Sequence, residues 1–102
     1  MIKHIVLWKL KEGVDGKSKP ENARELKTAL ENLKGKIPEI AALEVGLNFN
    51  PVDTASDVSL YTEFRSREDL DKYQKHPEHL KVVEIVKKLT AERRVSDYEA
   101  PI

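Results

Sequence analysis

Alternating apolar and polar positions divide the chain into strand-like and helix-like stretches. Residues 2–10 read Ile-Lys-His-Ile-Val-Leu-Trp-Lys-Leu. Ile2, Val6, Trp8 and Leu10 share one parity, with His4 among them, and Ile5 and Leu7 take the other. This first strand is therefore predicted to be covered on both faces in its middle. A polar loop with Gly13, Asp15 and Gly16 follows over 11–19. Residues 20–36 predict a helix, because Ala23, Leu26, Leu30 and Leu33 recur every three or four positions. Ser18 is placed as its N-cap, with Glu21 completing a capping box and Pro20 in the tolerated first turn. Gly35 and Ile37-Pro38 end it.

A second strand is predicted over 43–50, with Leu43, Val45, Leu47 and Phe49 alternating against polar residues or glycine. A turn begins at Asn50-Pro51. The third strand, 57–65, puts Val58, Leu60, Thr62 and Phe64 on one face. Ser66 opens a short helix through Leu70 and Tyr73, with Asp69 in the last place of a box-like pattern. Pro77 lacks an N–H and disfavours helix at His76, so a joint is expected there before a second helical segment to about Leu89. A last strand runs over 93–99. The order is β-α-β-β-α-β, the α+β ferredoxin-like split arrangement, with its second helix broken at Pro77. One domain over 1–102 is expected.

Composition narrows the function classes. Charged residues make up 35% of the chain and hydrophobic ones 39%. That is more charge than average, but the apolar residues fall in periodic runs, so an ordered fold is expected. Formal net charge is zero, with lysine and arginine scattered among acids. A nucleic-acid footprint is absent from that pattern. There is no cysteine, which excludes disulfides, thiolate metal sites and a cysteine nucleophile. The start of the chain reads as a strand rather than a signal peptide, and no run is long enough for a membrane helix. A cytoplasmic protein is expected.

Two of the three histidines lie in Tyr73-Gln74-Lys75-His76-Pro77-Glu78-His79-Leu80. A helix joint there can aim side chains where a continuous helix would not reach. His79 shares a helical stripe with Val82, Val83 and Val86 and is predicted to face inward. An imidazole near its ordinary pKa can move a proton at neutral pH; it can equally satisfy a buried tyrosine. Tyr73 can hold a carbonyl or enolate oxygen by hydrogen bond, or serve as an aromatic core residue. His76 is expected to cap the new helix. His4 lies on the Ile2–Val6 face and can approach His79 if that face meets the helices. No acidic partner is fixed by spacing, so no metal site is expected. Trp8 is expected in the core. Glu84–Lys88 has favourable helical spacing and Glu21–Glu25 a repulsive one. No phosphate loop, catalytic triad spacing or forced carboxylate pair occurs, and no cofactor is expected.

These residues resemble the stress-responsive α/β barrel family, often called Dabb. The resemblance covers nearly the whole chain. It rests on His4-Ile5-Val6-Leu7-Trp8-Lys9-Leu10-Lys11, Ile37-Pro38, Val45-Gly46, Tyr73-x-x-His76-Pro77-x-His79 and Val95-Ser96-Asp97-Tyr98. It implies a dimeric α+β barrel, in which the sheets of two copies pack through their open faces. That would cover Ile5 and Leu7. One plant member of the family is a polyketide cyclase with a pocket between sheet and helices. By its motif, the resemblance puts Tyr73 and His79 at catalytic positions and His4 at another pocket position. The ligand-binding set expected here is His4, Tyr73, His76, His79 and Val83. Some plant members carry a metal ion after the first helix; the matching turn here is Ile37-Pro38-Glu39-Ile40. The chain departs from the cyclase after His79, where Lys81, Val82 and Val83 replace small and aromatic residues. It departs again at Lys88, Leu89 and Thr90. Branched valines narrow a pocket, so the pocket is carried over and the cyclase reaction is not.

The leading expectation is a stress-response-type homodimer that binds a small apolar or carbonyl-containing molecule. One alternative is a cofactor-free cyclase or isomerase, with His79 as general base and Tyr73 polarising a carbonyl. Others are a monooxygenase-like barrel, with or without haem, and a purely structural dimer.

Overall fold

The computed structural model describes residues 1–101. Its elements are β1 (Ile2–Leu10), α1 (Lys19–Glu31), β2 (Ala42–Leu47), β3 (Val58–Phe64), α2 (Arg67–Lys75), α3 (Pro77–Leu89) and β4 (Thr90–Glu99). The strands form one sheet in the order β2-β3-β1-β4. Every neighbouring pair is antiparallel. This is the ferredoxin-like arrangement.

Strand parity decides what each face does. Ile2, His4, Val6, Trp8 and Leu10 are all buried. They stand opposite Phe64, Thr62, Leu60 and Val58 of β3 in the register Ile2↔Phe64 to Trp8↔Val58, and that row is buried too. This face packs on the helices. The other face is open, and there Ile5 is half-buried and Leu7 is 36% exposed. Beside them lies a polar network. Lys3 Nζ donates to the Tyr61 hydroxyl at 2.6 Å, and that hydroxyl donates to Glu63 at 2.6 Å. Lys3 also reaches Glu63 at 2.9 Å. The apolar part of the open face is therefore a narrow strip.

Helix α1 starts as its sequence dictates. Ser18 Oγ accepts from the Glu21 N–H, and the Glu21 carboxylate accepts from the Ser18 N–H. The stripe Ala23, Leu26, Leu30 and Leu33 is buried. The α-helix ends at Glu31, earlier than the periodicity suggests, and a 3-10 turn over Asn32–Gly35 completes it. That tightening lets Leu33 and Ile37 both enter the core.

The second strand is shorter than expected. It stops at Leu47. Asn48 uses its side chain on the local backbone, donating to the Asn50 carbonyl and accepting from the Asn50 N–H. A side chain that competes for backbone groups ends a ladder. Phe49 is consequently 97% exposed instead of extending the alternation. The last strand begins three residues earlier than predicted, directly after α3. Lys88 pairs with Asp15 and not with Glu84, which meets Lys87. The loop after β1 carries Asp15 past the end of α3, and a tertiary partner there outcompetes the helical one.

Candidate functional site

The Pro77 joint builds one wall of a cavity. His76 is extended, with φ −64° and ψ 136°. Its Nδ1 accepts from the Glu78 N–H at 3.1 Å and so caps α3. Breaking the helix also strips the Gln74 carbonyl of its usual partner four residues on. The His79 ring replaces it, with Nδ1 3.1 Å from the Gln74 oxygen. A carbonyl only accepts, so Nδ1 carries the hydrogen and the neutral ring presents Nε2 as an acceptor. The proline thus explains both the cap and the orientation of His79.

Tyr73 lies at the centre of an aromatic group. Its ring is 4.4 Å from His79, 4.9 Å from Phe64 and 6.0 Å from His4, between centroids. Tyr73 is buried, and its hydroxyl has no hydrogen-bond partner among the described residues. Burial pushes its pKa well up, only partly opposed by the Arg93 charge, so the phenol stays a neutral donor. His4 reaches the same group from β1. Its Nδ1 bonds to Asp97, directly across the β1–β4 register. An ionised carboxylate only accepts, so His4 also carries its hydrogen on Nδ1. Thr62 Oγ1 donates to the His4 carbonyl at 3.0 Å and fixes that backbone.

These side chains line a cavity of about 190 Å³. His4, Tyr73 and His79 supply its polar end. Val6, Leu30, Leu60, Val82 and Val86 supply apolar wall. The Trp8 ring lines it as well, while the Trp8 N–H is buried with no partner among the described residues. Lys87 and Arg93 stand where it meets solvent.

Of the residues expected at a ligand site, His4, Tyr73, His79 and Val83 come together around this cavity. His76 does not line it, because its ring is turned to the start of α3. Val82 and Val83 narrow the space without closing it. The sequence did not single out Asp97, Lys87 or Arg93. Strand register would have pointed to Asp97, since it faces His4 only once β1 and β4 are paired. No group of three or more His, Asp or Glu side chains suited to a metal occurs among the described residues. In the Ile37–Ile40 turn the Ile37 carbonyl accepts from the Ile40 N–H.

Burial holds the His79 pKa below its ordinary 6.5. The bond to Gln74 opposes this, and the His4, Arg93 and His76 charges reinforce it. The unfolded chain therefore takes up a proton at a higher pH than the folded one. His79 contributes stability that is present above pH 6.5 and lost as the pH falls through its folded value. His79→Gln keeps a donor for Gln74 but does not titrate. The melting-temperature difference, wild type minus variant, should fall between about pH 7.5 and 5. A constant difference would show that His79 is not desolvated.

A second space of about 290 Å³ lies beside Ile2, Arg67, Leu70 and Glu99. It lacks any histidine, and Arg67 and Glu99 approach each other across it at 3.8 Å.

The described residues contain no helix long and apolar enough to cross a membrane. The chain is 38% identical to a dimeric, ferredoxin-like protein of unknown function from Bacteroides fragilis, covering 97% of this chain and 95% of that one with a TM-score of 0.85. It is 25% identical to a protein of Arabidopsis thaliana, covering 100% and 97%, with a TM-score of 0.83. A hydroxynitrile lyase from Passiflora edulis shares the fold at 17% identity and a TM-score of 0.79, with 95% and 90% covered. No curated protein is similar enough to count as a match. The model of the stress responsive A/B barrel domain, Dabb, matches residues 2–100, and the chain belongs to that family.

Proposed function

We propose that the protein binds a small apolar, carbonyl-containing molecule in the cavity between sheet and helices, as a stress-response-type module. The observation that carries this reading is the Tyr73–His79 pair at the end of a mostly apolar cavity. A buried phenol without an acceptor among the described residues is a ready donor to a carbonyl oxygen. Tyr73→Phe keeps the ring and removes the donor. It should weaken binding of a carbonyl ligand about tenfold, the effect of one hydrogen bond. Calorimetric titration with a panel of aryl ketones and aldehydes measures this. Affinity indifferent to both Tyr73→Phe and His79→Ala would remove the ligand from this cavity.

One observation favours a second reading, a cofactor-free cyclase or isomerase. The bond to Gln74 leaves Nε2 of a neutral His79 unprotonated, which is what a general base needs. Turnover of cyclic or polyketide-like carbonyl compounds that disappears in His79→Ala would establish it. Turnover that survives the substitution would dismiss it.

We further propose that two copies pair through the open sheet face and close a barrel. Support comes from Ile5 and Leu7 on that face and from the relative in Bacteroides fragilis, which is described as dimeric.

A further inference from the structure

The cavity mouth carries formal charge of one sign only. Lys87 and Arg93 line it, and among the described residues no carboxylate does. The nearby Asp97 is engaged by His4. Arg93 forms no ion pair among the described residues, and Lys87 meets only the exposed Glu84 at 3.8 Å. Arg93 stands directly across the strand pair from Trp8, so its side chain belongs to the cavity face of the sheet. Its charge reaches both Tyr73 and His79. A cation at the rim of an apolar cavity selects an anion with an apolar body. The planar guanidinium matches a carboxylate in particular, by two parallel hydrogen bonds.

We infer that the ligand is a monocarboxylate whose carboxylate lies on Arg93, with Lys87 beside it, and whose apolar body fills the cavity. This rests on the reading that the cavity is the ligand site, and it adds the ligand's charge. Size sets its scale. An apolar cavity of about 150 Å³ holds benzene, so about 190 Å³ holds a ring with a short chain.

The chain has one tryptophan, and Trp8 lines the cavity, so its fluorescence reports occupancy. 3-Phenylpropanoate, its methyl ester and its amide are titrated into the wild type, Arg93→Gln and Arg93→Lys, at low and high salt. The wild type should prefer the carboxylate over the ester by about tenfold or more, as a charge-assisted hydrogen bond provides. Arg93→Gln should reduce that preference to about twofold, by weakening the carboxylate far more than the ester, while Arg93→Lys keeps part of it. Added salt should weaken the carboxylate alone. An ester that binds as tightly as the carboxylate, or a preference that survives in Arg93→Gln, would overturn the charge assignment and leave the cavity as the site. Binding of none of the three while an aryl ketone still binds would likewise overturn the charge assignment, and failure of the ketones as well would overturn the cavity reading itself.

Discussion

Phe64→Ala is expected to lower the unfolding free energy by about 3–5 kcal/mol and to disorder the cavity in the same step. Phe64 has no exposed surface. It ends β3 opposite Ile2. Its ring supports Tyr73 at 4.9 Å and His4 at 6.5 Å. A domain of this size has roughly 5–15 kcal/mol in all, so the loss is a large share. The space left behind adds to the lost transfer energy, because an interior strand held by ladders on both sides collapses little. Phe64→Leu keeps most of the volume and should cost less, while still freeing Tyr73 to tilt. Urea unfolding followed by Trp8 fluorescence measures the first effect, and ligand titration the second. A loss below about 1 kcal/mol would mean that the ring is not a core element.

Ile5→Glu is expected to convert the proposed dimer into a monomer with an intact subunit fold. Ile5 lies on the open face between Tyr61 of β3 and Ser96 of β4. Neither offers a cation to a new carboxylate, and Lys3, two positions along on the same face, is already paired with Glu63. Leu7 is a poorer choice, because Arg94 stands opposite and would pair with the introduced acid. In a two-fold interface the substitution enters twice, and the two charges meet the same patch. A buried interface position of this kind contributes about 2 kcal/mol or more. The dissociation constant should therefore rise at least about thirtyfold. Sedimentation velocity over a concentration series reads the assembly, and far-ultraviolet circular dichroism reads the fold. A variant that stays dimeric would move the interface off this face.

Much of the molecule is legible in local pattern. The parity of β1 identified its buried row, because successive side chains in a strand point to opposite faces. Ser18 and Glu21 are three residues apart and form the box that their types and spacing require. Pro77 placed the break, and helical register turned His79 inward with Val82 and Val86. Each of these depends on neighbours within about one helical turn or a few strand positions.

Other features were beyond that reach. The alternation in 43–50 continued to Phe49, but Asn48 took up the backbone groups and ended the strand. Lys88 had a suitable partner in Glu84 and found a different one in Asp15. His76 belongs to the same motif as His79, yet it caps a helix and does not line the cavity.

By itself the sequence determined the element order, the core rows, the proline joint and the inward histidine, because these follow from backbone chemistry and short-range periodicity. Only the tertiary structure decided that Asp97 holds His4, 93 residues away in the chain. It also decided that Arg93 and Lys87 stand at the mouth of a mostly apolar cavity. Both depend on how β4 registers against β1 and how α3 crosses the sheet. A charge acts through space at distances set by that packing, and no spacing along the chain encodes it.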